Sequence, residues 1–238
     1  MNTKRGSLAC WFACLVACLA MTAIAAAQGA PPGLQEKAAA AKASAARNQQ
    51  ALRSYSWMAQ TQVSFKGEVK NTKVESCRYG PDGKVQKTEV SAPPPPQQQK
   101  RGLRGKIVEK KTGEMKEEME SAAALIHQYV PPSPDKIQAA IGASKASLAQ
   151  SGPGVVALTF KDYVKAGDSL TLTFESEVKA LRQINVNTYL DDPGSPVTLQ
   201  VDFQSLPDGT NYPAVEVFAI PASNLQVKIQ NSNYQRVQ

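Results

Sequence analysis

The sequence has little of what most metal-binding or catalytic sites require. It holds four cysteines and one histidine among 238 residues, and only 6% of its residues are aromatic. Three of the cysteines are Cys10, Cys14 and Cys18, so the rest of the chain has Cys77 alone. One thiol forms no internal disulfide, and His127 has no cysteine or carboxylate at metal-ligand spacing. The pattern predicts a fold that depends on its hydrophobic core and binds no metal.

Motifs of common enzyme classes are also missing from the sequence. No glycine-rich phosphate loop follows a predicted strand, and no Gly-x-Ser-x-Gly elbow is present. Asp191 and Asp192 precede Pro193 and Gly194, as a tight turn requires, whereas a calcium site needs more oxygen ligands in register. We therefore predict a protein that is not an enzyme and uses no cofactor. A hydrolase whose site assembles from distant positions is an alternative.

A charged start and a long apolar run mark the N-terminus. Lys4 and Arg5 precede the run Leu8–Ala27, which ends in three alanines. These features predict a secretory signal peptide, residues 1–27, and hence a periplasmic or secreted protein. An uncleaved membrane anchor is one alternative, because the run is long enough to span a bilayer. Leu15–Cys18 also fits a lipobox, which would make the protein an outer-membrane lipoprotein acylated at its cysteine.

The remaining chain is predicted to be mildly basic. The formal net charge of +7 becomes +5 once the signal's two cations, Lys4 and Arg5, are removed. Such a charge weakly favours anionic surfaces such as lipid head groups. We expect no nucleic-acid partner, and we expect a monomer.

After a lead-in at residues 28–33, residues 34–238 are predicted to form one domain. About 210 residues remain after cleavage, which is enough to bury a single core. Apolar residues at spacings of three and four predict helices over Leu34–Ser54, Glu114–Val130 and Asp135–Ala149.

Alternation of apolar and polar residues dominates the chain from Val155 to its end. Leu170, Leu172 and Phe174, for example, share one face of a strand, because successive side chains point to opposite sides. Short turn-rich links predict that neighbouring strands pair antiparallel. The predicted fold class is α+β, a curved antiparallel half-barrel of about nine strands covered by three helices. The predicted strands are Tyr55–Phe65, Glu68–Tyr79, Lys84–Val90, Val155–Lys161, Ser169–Glu175, Leu181–Leu190, Val197–Gln204, Tyr212–Ala219 and Asn224–Tyr234.

Residues 91–111 are predicted to form a proline-rich and basic loop. Its prolines, Pro93–Pro96, lack the amide hydrogen that regular structure needs. Basic residues of such a loop usually lie in water, and a sharper alternative is that they dock on an anionic membrane or an acidic partner. These residues are Lys100, Arg101, Arg104, Lys106, Lys110 and Lys111.

Several segments resemble an uncharacterised family of bacterial secreted proteins. They are Tyr55–Trp57, Arg78–Lys84, Ala124–Pro132 and Thr188–Pro193. The order of elements, a signal peptide, a helix, a meander, a helical insertion and a long run of strands, resembles the LolA/LolB/RseB type of envelope protein. That resemblance implies a LolA-like half-barrel closed by helices, with an apolar concavity that holds acyl chains. No functional residue of these proteins matches a position in this sequence.

Aromatic and methionine side chains are the candidates for lining such a concavity. Each is also compatible with an ordinary core, but flexible methionines suit a surface that accepts variable apolar ligands. The predicted function is a periplasmic carrier or sensor of lipid or lipoprotein acyl chains. The alternative is an envelope structural or interaction module with a filled core and no ligand. The candidate residues are Trp57, Val63, Phe65, Met115, Met119, Ile126, Leu172, Phe174 and Phe203.

Overall fold

A ten-stranded antiparallel sheet holds about half of the residues that the structure describes. The computed structural model describes Ala43 and residues 46–90, 103–176 and 180–237, with the backbone alone for 103–111. Three helices accompany the sheet: α1 (residues 46–52), α2 (Leu103–Ile126) and α3 (Pro134–Gly142). The strands are β1 (Tyr55–Phe65), β2 (Glu68–Tyr79), β3 (Val85–Glu89), β4 (Ala146–Gly152), β5 (Val155–Lys161), β6 (Ser169–Glu175), β7 (Ala180–Tyr189), β8 (Pro196–Ser205), β9 (Asn211–Ile220) and β10 (Leu225–Arg236).

The strand order shows two meanders joined into one sheet. The order is β3-β2-β1-β10-β9-β8-β7-β6-β5-β4, so every neighbour is consecutive in the chain except β1 and β10. The first and last strands pair over their whole length, from Tyr55 opposite Arg236 to Phe65 opposite Leu225. The described sheet stays open, with β3 and β4 as its edges. The predicted α+β class with a curved antiparallel sheet is confirmed.

Alternating burial shows why these segments form strands. In β6, Leu170 and Leu172 are buried while the threonines between them are half-buried. Turns between strands use residues that tolerate left-handed backbone, such as Gly67 at φ 78° between β1 and β2. The predicted limits of β5 and β6 are confirmed to the residue.

The hydrophobic core lies between the inner face of the sheet and the C-terminal part of α2. Ala122, Ala123 and Ile126 of that helix are buried against the strands. Two small alanines allow the helix backbone to approach the sheet closely, and the adjoining Tyr129 is fully buried. This part of the described inner face is therefore filled by the protein's own side chains.

The prediction of nine strands is wrong because β4 was assigned to a helix. The predicted helix Asp135–Ala149 ends at Gly142, and the chain then turns through Ser144 at φ 56°. Residues 146–152 pair with β5, with Leu148 opposite Leu158. Pairing satisfies the backbone groups along one side of β5, which a continued helix would leave unpaired.

The predicted basic loop is also too long, since α2 begins at Leu103 rather than at Glu114. The backbone of Arg104, Lys106, Lys110 and Lys111 is helical, as suits long unbranched side chains with high helix propensity. Lys100 and Arg101 lie outside the described residues, as do the predicted signal peptide, the lead-in and most of the first helix. No helix among the described residues has the length and apolarity needed to cross a membrane.

A buried carboxylate ties the end of α2 to the sheet. Asp168 is 2% exposed and accepts hydrogen bonds from the amides of Tyr163, Val164 and Lys165 at 2.5, 3.0 and 2.7 Å. The hydroxyl of Tyr129 donates to the same carboxylate at 2.5 Å. Sequence reasoning did not predict this role, because no other candidate functional residue lies beside this aspartate in the chain.

Replacing Asp168 with alanine should lower the free energy of unfolding by about 3 kcal/mol or more, because it leaves several buried donors without an acceptor. Tyr129→Phe removes one of the four bonds and should cost about 1–3 kcal/mol. Urea denaturation measures both losses. The exposed Asp191 is the matched control, and Asp191→Ala should change the stability by less than about 0.5 kcal/mol. A loss at Asp168 no larger than at the control would contradict this role.

Candidate functional site

A small cavity lies on the inner face of the sheet, at the end where the N-terminal meander meets β10 and β9. Its volume is about 30 Å³, room for a water-sized group. We call it the Glu216 pocket. Its lining residues are Leu52, Trp57, Ala59, Tyr79, Lys87, Pro213, Glu216, Ile229, Asn231 and Tyr234.

Strand register brings these side chains together from five strands. Trp57 of β1 stands opposite Cys77 of β2, which in turn stands opposite Lys87 of β3. On the other side of β1, Ala59 stands opposite Asn231 of β10. Directly paired residues of neighbouring strands share a face, so all of these positions point inward.

The neighbouring pair of β10 and β9 supplies the acid of the pocket. Ile229 of β10 stands opposite Glu216 of β9, one inward position along from Asn231. Leu52, at the end of α1, is 2% exposed and closes the cavity from the helical side.

Aromatic rings form one wall of the pocket. The ring of Trp57 stacks on that of Tyr234 with centroids 5.5 Å apart and planes 7° from parallel. Tyr79 contacts the same indole at a centroid distance of 5.5 Å. Outside this wall Tyr212 lies against Tyr234, with centroids 4.3 Å apart. The wall is a rigid surface with apolar faces and polar edges.

A buried ion-pair cluster adjoins the rings. Glu75 is 3% exposed, and its carboxylate lies 2.6 Å from Lys73 Nζ and 3.6 Å from Lys87 Nζ. Lys73 also lies 3.5 Å from Glu89 at the sheet edge. Two ammonium groups thus compensate Glu75. Burial raises the pKa of the nearby Cys77 thiol to about 11, which leaves it uncharged and unreactive at neutral pH.

Glu216 is the polar group of the pocket with the fewest partners. Its side chain is buried, and its Oε1 accepts from Asn231 Nδ2 at 3.4 Å. Its Oε2 is buried and meets no hydrogen-bond donor among the described residues. Burial raises the pKa of this carboxyl to about 7, against the opposing effects of Lys87 and Asn231. A buried acid that changes charge near neutral pH is typical of functional sites.

The residues predicted from the sequence to line an apolar concavity are spread along the inner face. Trp57 lines the Glu216 pocket, whereas Ile126 and Leu172 are buried in the core. Phe65 is half-buried, with Lys66 Nζ 5.5 Å from its ring centroid. The other five are half-buried and pack against the core: Val63, Met115, Met119, Phe174 and Phe203.

Sequence reasoning missed the polar members of the pocket. Their signal was an acidic residue on the apolar face of a predicted strand: Ala214, Phe218 and Ile220 of β9 are buried, and Glu216 alternates with them. Glu75 of β2 breaks the pattern in the same way. Their meeting in space required the register of strands far apart in the chain.

A larger depression of about 200 Å³ lies at the β6–β7 end of the sheet, beside Gly167, Thr188, Tyr189 and Pro193. Two polar groups of its lining already have partners: Thr188 Oγ1 is hydrogen-bonded to the Tyr129 hydroxyl, and the Tyr189 carbonyl accepts from Lys165 Nζ. The described residues contain no group of three or more His, Cys, Asp or Glu side chains placed to hold a metal ion.

Comparison with known proteins assigns no identity to the chain. No protein-family model and no curated protein matches it. Among solved structures, a DUF1329 family protein from Desulfovibrio piger aligns with 11% identity and a TM-score of 0.37, over 83% of this chain and 92% of that one. At this identity and TM-score the likeness assigns neither a fold family nor a function.

The raised pKa of Glu216 predicts a specific pH dependence of stability. The folded protein binds this proton more tightly than the unfolded chain, whose carboxyl keeps the ordinary value of 4.5. The associated stability is therefore full below pH 4.5 and is lost as the pH rises through 7. Relative to Glu216→Gln, the wild type should lose about 3 kcal/mol of unfolding free energy across that range.

Urea denaturation of both proteins at several pH values between 4.5 and 8.5 measures this difference. Glutamine keeps the size of the side chain and an acceptor for Asn231, so other titrating groups cancel in the comparison. A difference in unfolding free energy that stays constant with pH would show that Glu216 does not change charge in this range.

Proposed function

We propose that this chain is a non-enzymatic binding protein, a carrier or sensor, for an apolar ligand such as a lipid or lipoprotein acyl chain. The observation behind the proposal is the mixed lining of the Glu216 pocket. Aromatic rings, Leu52 and Ile229 form an apolar wall, and Glu216 and Asn231 supply polar groups at the same cavity. Binding pockets combine such walls with a few placed polar groups.

The Glu216 pocket is a more favourable place for the ligand than the space between α2 and the sheet. Ile126 and Leu172, two residues predicted to line the concavity, are 1% and 7% exposed and belong to the core. An acyl chain there would have to displace packed side chains, which costs several kcal/mol. A chain at the Glu216 pocket displaces little besides the end of α1.

Helix α1 is the element that would admit the ligand, because the cavity of about 30 Å³ is too small for a chain of several methylenes. Two hydrogen bonds of 2.5 Å between Asn48 and Asn211 hold this helix against β9, and Leu52 covers the pocket. Neither the Asn48–Asn211 hydrogen bonds nor the Leu52 contact belongs to the hydrogen bonds that pair the strands. The helix can therefore shift without loss of strand pairing.

Location and membrane contact complete the proposal. The predicted signal peptide would direct the protein to the periplasm or out of the cell, where acyl ligands need carriers. Docking of the basic residues near α2 on an anionic surface remains a prediction, and attraction of this kind would weaken with salt.

Filling the pocket should weaken ligand binding while leaving the protein folded. Ala59 is 3% exposed and lines the cavity, so Ala59→Val adds two methyl groups where the ligand would lie. We expect the affinity for the neutral dye N-phenyl-1-naphthylamine to fall at least about tenfold, with a loss of unfolding free energy of about 1–3 kcal/mol. Dye fluorescence and urea denaturation measure the two effects.

The matched control is Ala157→Val, which makes the same change on β5, away from the pocket. It should leave dye affinity unchanged. Equal dye binding by wild type and Ala59→Val would place the ligand elsewhere, and a folded wild type that binds no apolar probe would contradict the proposed function.

A second candidate function is a protein-interaction module, and the edge strand β4 favours it. Residues 146–152 include no charged residue and no proline, and Leu148 is 53% exposed. Such an edge can pair with another strand, whereas the opposite edge, β3, is shorter and carries Lys87 and Glu89. We propose that this edge pairs with β4 of a second copy of the chain. Two β4 strands can pair without repulsion, because neither carries a charged residue.

Sedimentation velocity over a range of concentrations tests this candidate. The wild type should dimerise, and Leu148→Lys should shift the equilibrium to monomer by placing a charge on the edge. Val237→Lys, also at an exposed apolar residue, should not. A wild type that sediments as a monomer at every concentration would contradict the interaction function and would leave ligand binding as the remaining candidate.

A further inference from the structure

The second carboxylate oxygen of Glu216 is buried and has no donor among the described residues, and Glu216 is one of the residues that line the cavity. We propose that the ligand of the Glu216 pocket carries a primary ammonium group, which binds this oxygen while the apolar chain lies beneath α1. This inference rests on the proposed function and specifies the chemistry of the ligand's head. It follows from four observations: burial, charge, aromatic geometry and volume.

Burial makes the missing partner costly. An unsatisfied buried carboxylate oxygen loses its hydration without a replacement bond, and the loss is larger when the group is ionised. Asn231 satisfies only Oε1, and at 3.4 Å that bond is long. An ammonium group would supply both a donor and an opposite charge to Oε2.

The charge balance of the neighbourhood selects a cation over an anion. The cluster contains three carboxylates, Glu75, Glu89 and Glu216, and two ammonium groups, Lys73 and Lys87. With Glu216 ionised, these groups sum to one negative charge among the described residues, and Glu89, whose side chain is 43% exposed, lies at the solvent side of the cluster. A ligand cation would cancel that charge, whereas a carboxylate or phosphate would add to it within a buried site.

Both lysines of the cluster already have other partners. Lys87 lies 3.6 Å from Glu75, and Lys73 lies 2.6 Å from the same carboxylate. Lys87 acts on Glu216 through its field, and no ion pair within 4.0 Å links Glu216 to a basic group among the described residues.

Aromatic geometry and volume narrow the class of cation. Trp57, Tyr79 and Tyr234 line the same cavity, and ring faces attract cations electrostatically. A space of about 30 Å³ favours a small head group such as a primary ammonium over the bulkier trimethylammonium.

Four probes with the same eight-carbon chain test the inference on the full-length mature protein. They are octylammonium, 1-octanol, octanoate and octyltrimethylammonium, compared at pH 8 by calorimetry. We expect octylammonium to bind at least about tenfold more tightly than 1-octanol. Glu216→Gln should remove that advantage, while Glu117→Gln, at an exposed position of α2, should leave it unchanged.

The pH dependence provides a second readout. Alkylammonium stays charged below pH 9, so the affinity for octylammonium should fall about tenfold per pH unit below pH 7 as Glu216 takes up its proton. The affinity for 1-octanol should not change.

Each of the other possible results of the four-probe comparison contradicts one step of the proposal. Equal binding of octylammonium and 1-octanol by the wild type would mean that only a water molecule donates a hydrogen bond to Glu216 Oε2. The inference would then fail, while the proposed binding function would stand. Tighter binding of octanoate or of octyltrimethylammonium would overturn the charge or the size argument. If none of the four probes binds, the proposed function fails together with the inference.

Discussion

The pairing of β1 with β10 is the contact on which the rest of the structure depends. It joins strands from opposite ends of the described chain, and within the described sheet it is the strand pairing between the N-terminal meander and the seven strands that follow. Interactions at its end reinforce it: the Tyr55 hydroxyl donates to Asp208 at 2.6 Å, and Arg236 Nη2 lies 2.7 Å from the same carboxylate. Closing so long a loop is entropically costly, so the ladder must form cooperatively with the core that it encloses. Without it, the lysine of β3 and the acid of β9 would not share a cavity.

The helices divide the inner face into two regions with different physical properties. Along β5 to β8, the end of α2 and residues such as Tyr129 and Phe160 fill the space completely. At the β1–β10 junction, the cover is α1, fastened through Asn48 and closed by Leu52. Stability therefore resides mainly in the first region, and the capacity to open resides in the second. Such a division is common, because binding elements are taken from the less stable parts of a fold.

Local patterns predicted most of the sheet, and long-range register explains what they missed. The strict alternation in Ser169–Glu175 gave its limits directly, because each inward residue is apolar. Residues 146–152 lacked that alternation, since β4 is an edge strand with both faces largely exposed, and its alanines favoured a helix. The Glu216 pocket was beyond local reasoning for another reason. Glu216 and Lys87 come from strands that have three other strands between them in the sheet, so their proximity depends on the sheet's curvature as well as on register.

Glu216 is difficult to explain as a purely structural residue. Its burial at neutral pH costs about 3 kcal/mol, a large share of the 5–15 kcal/mol that typically stabilises a domain. A buried polar group can fix the register of a sheet, but the neighbours Phe218 and Ile220 on the same face already do so by packing, at no electrostatic cost. Glutamine at this position would keep the Asn231 contact and avoid the charge. The ionisable group therefore makes physical sense only if a partner meets its second oxygen, and the adjacent cavity lined by aromatic rings is where that partner would lie.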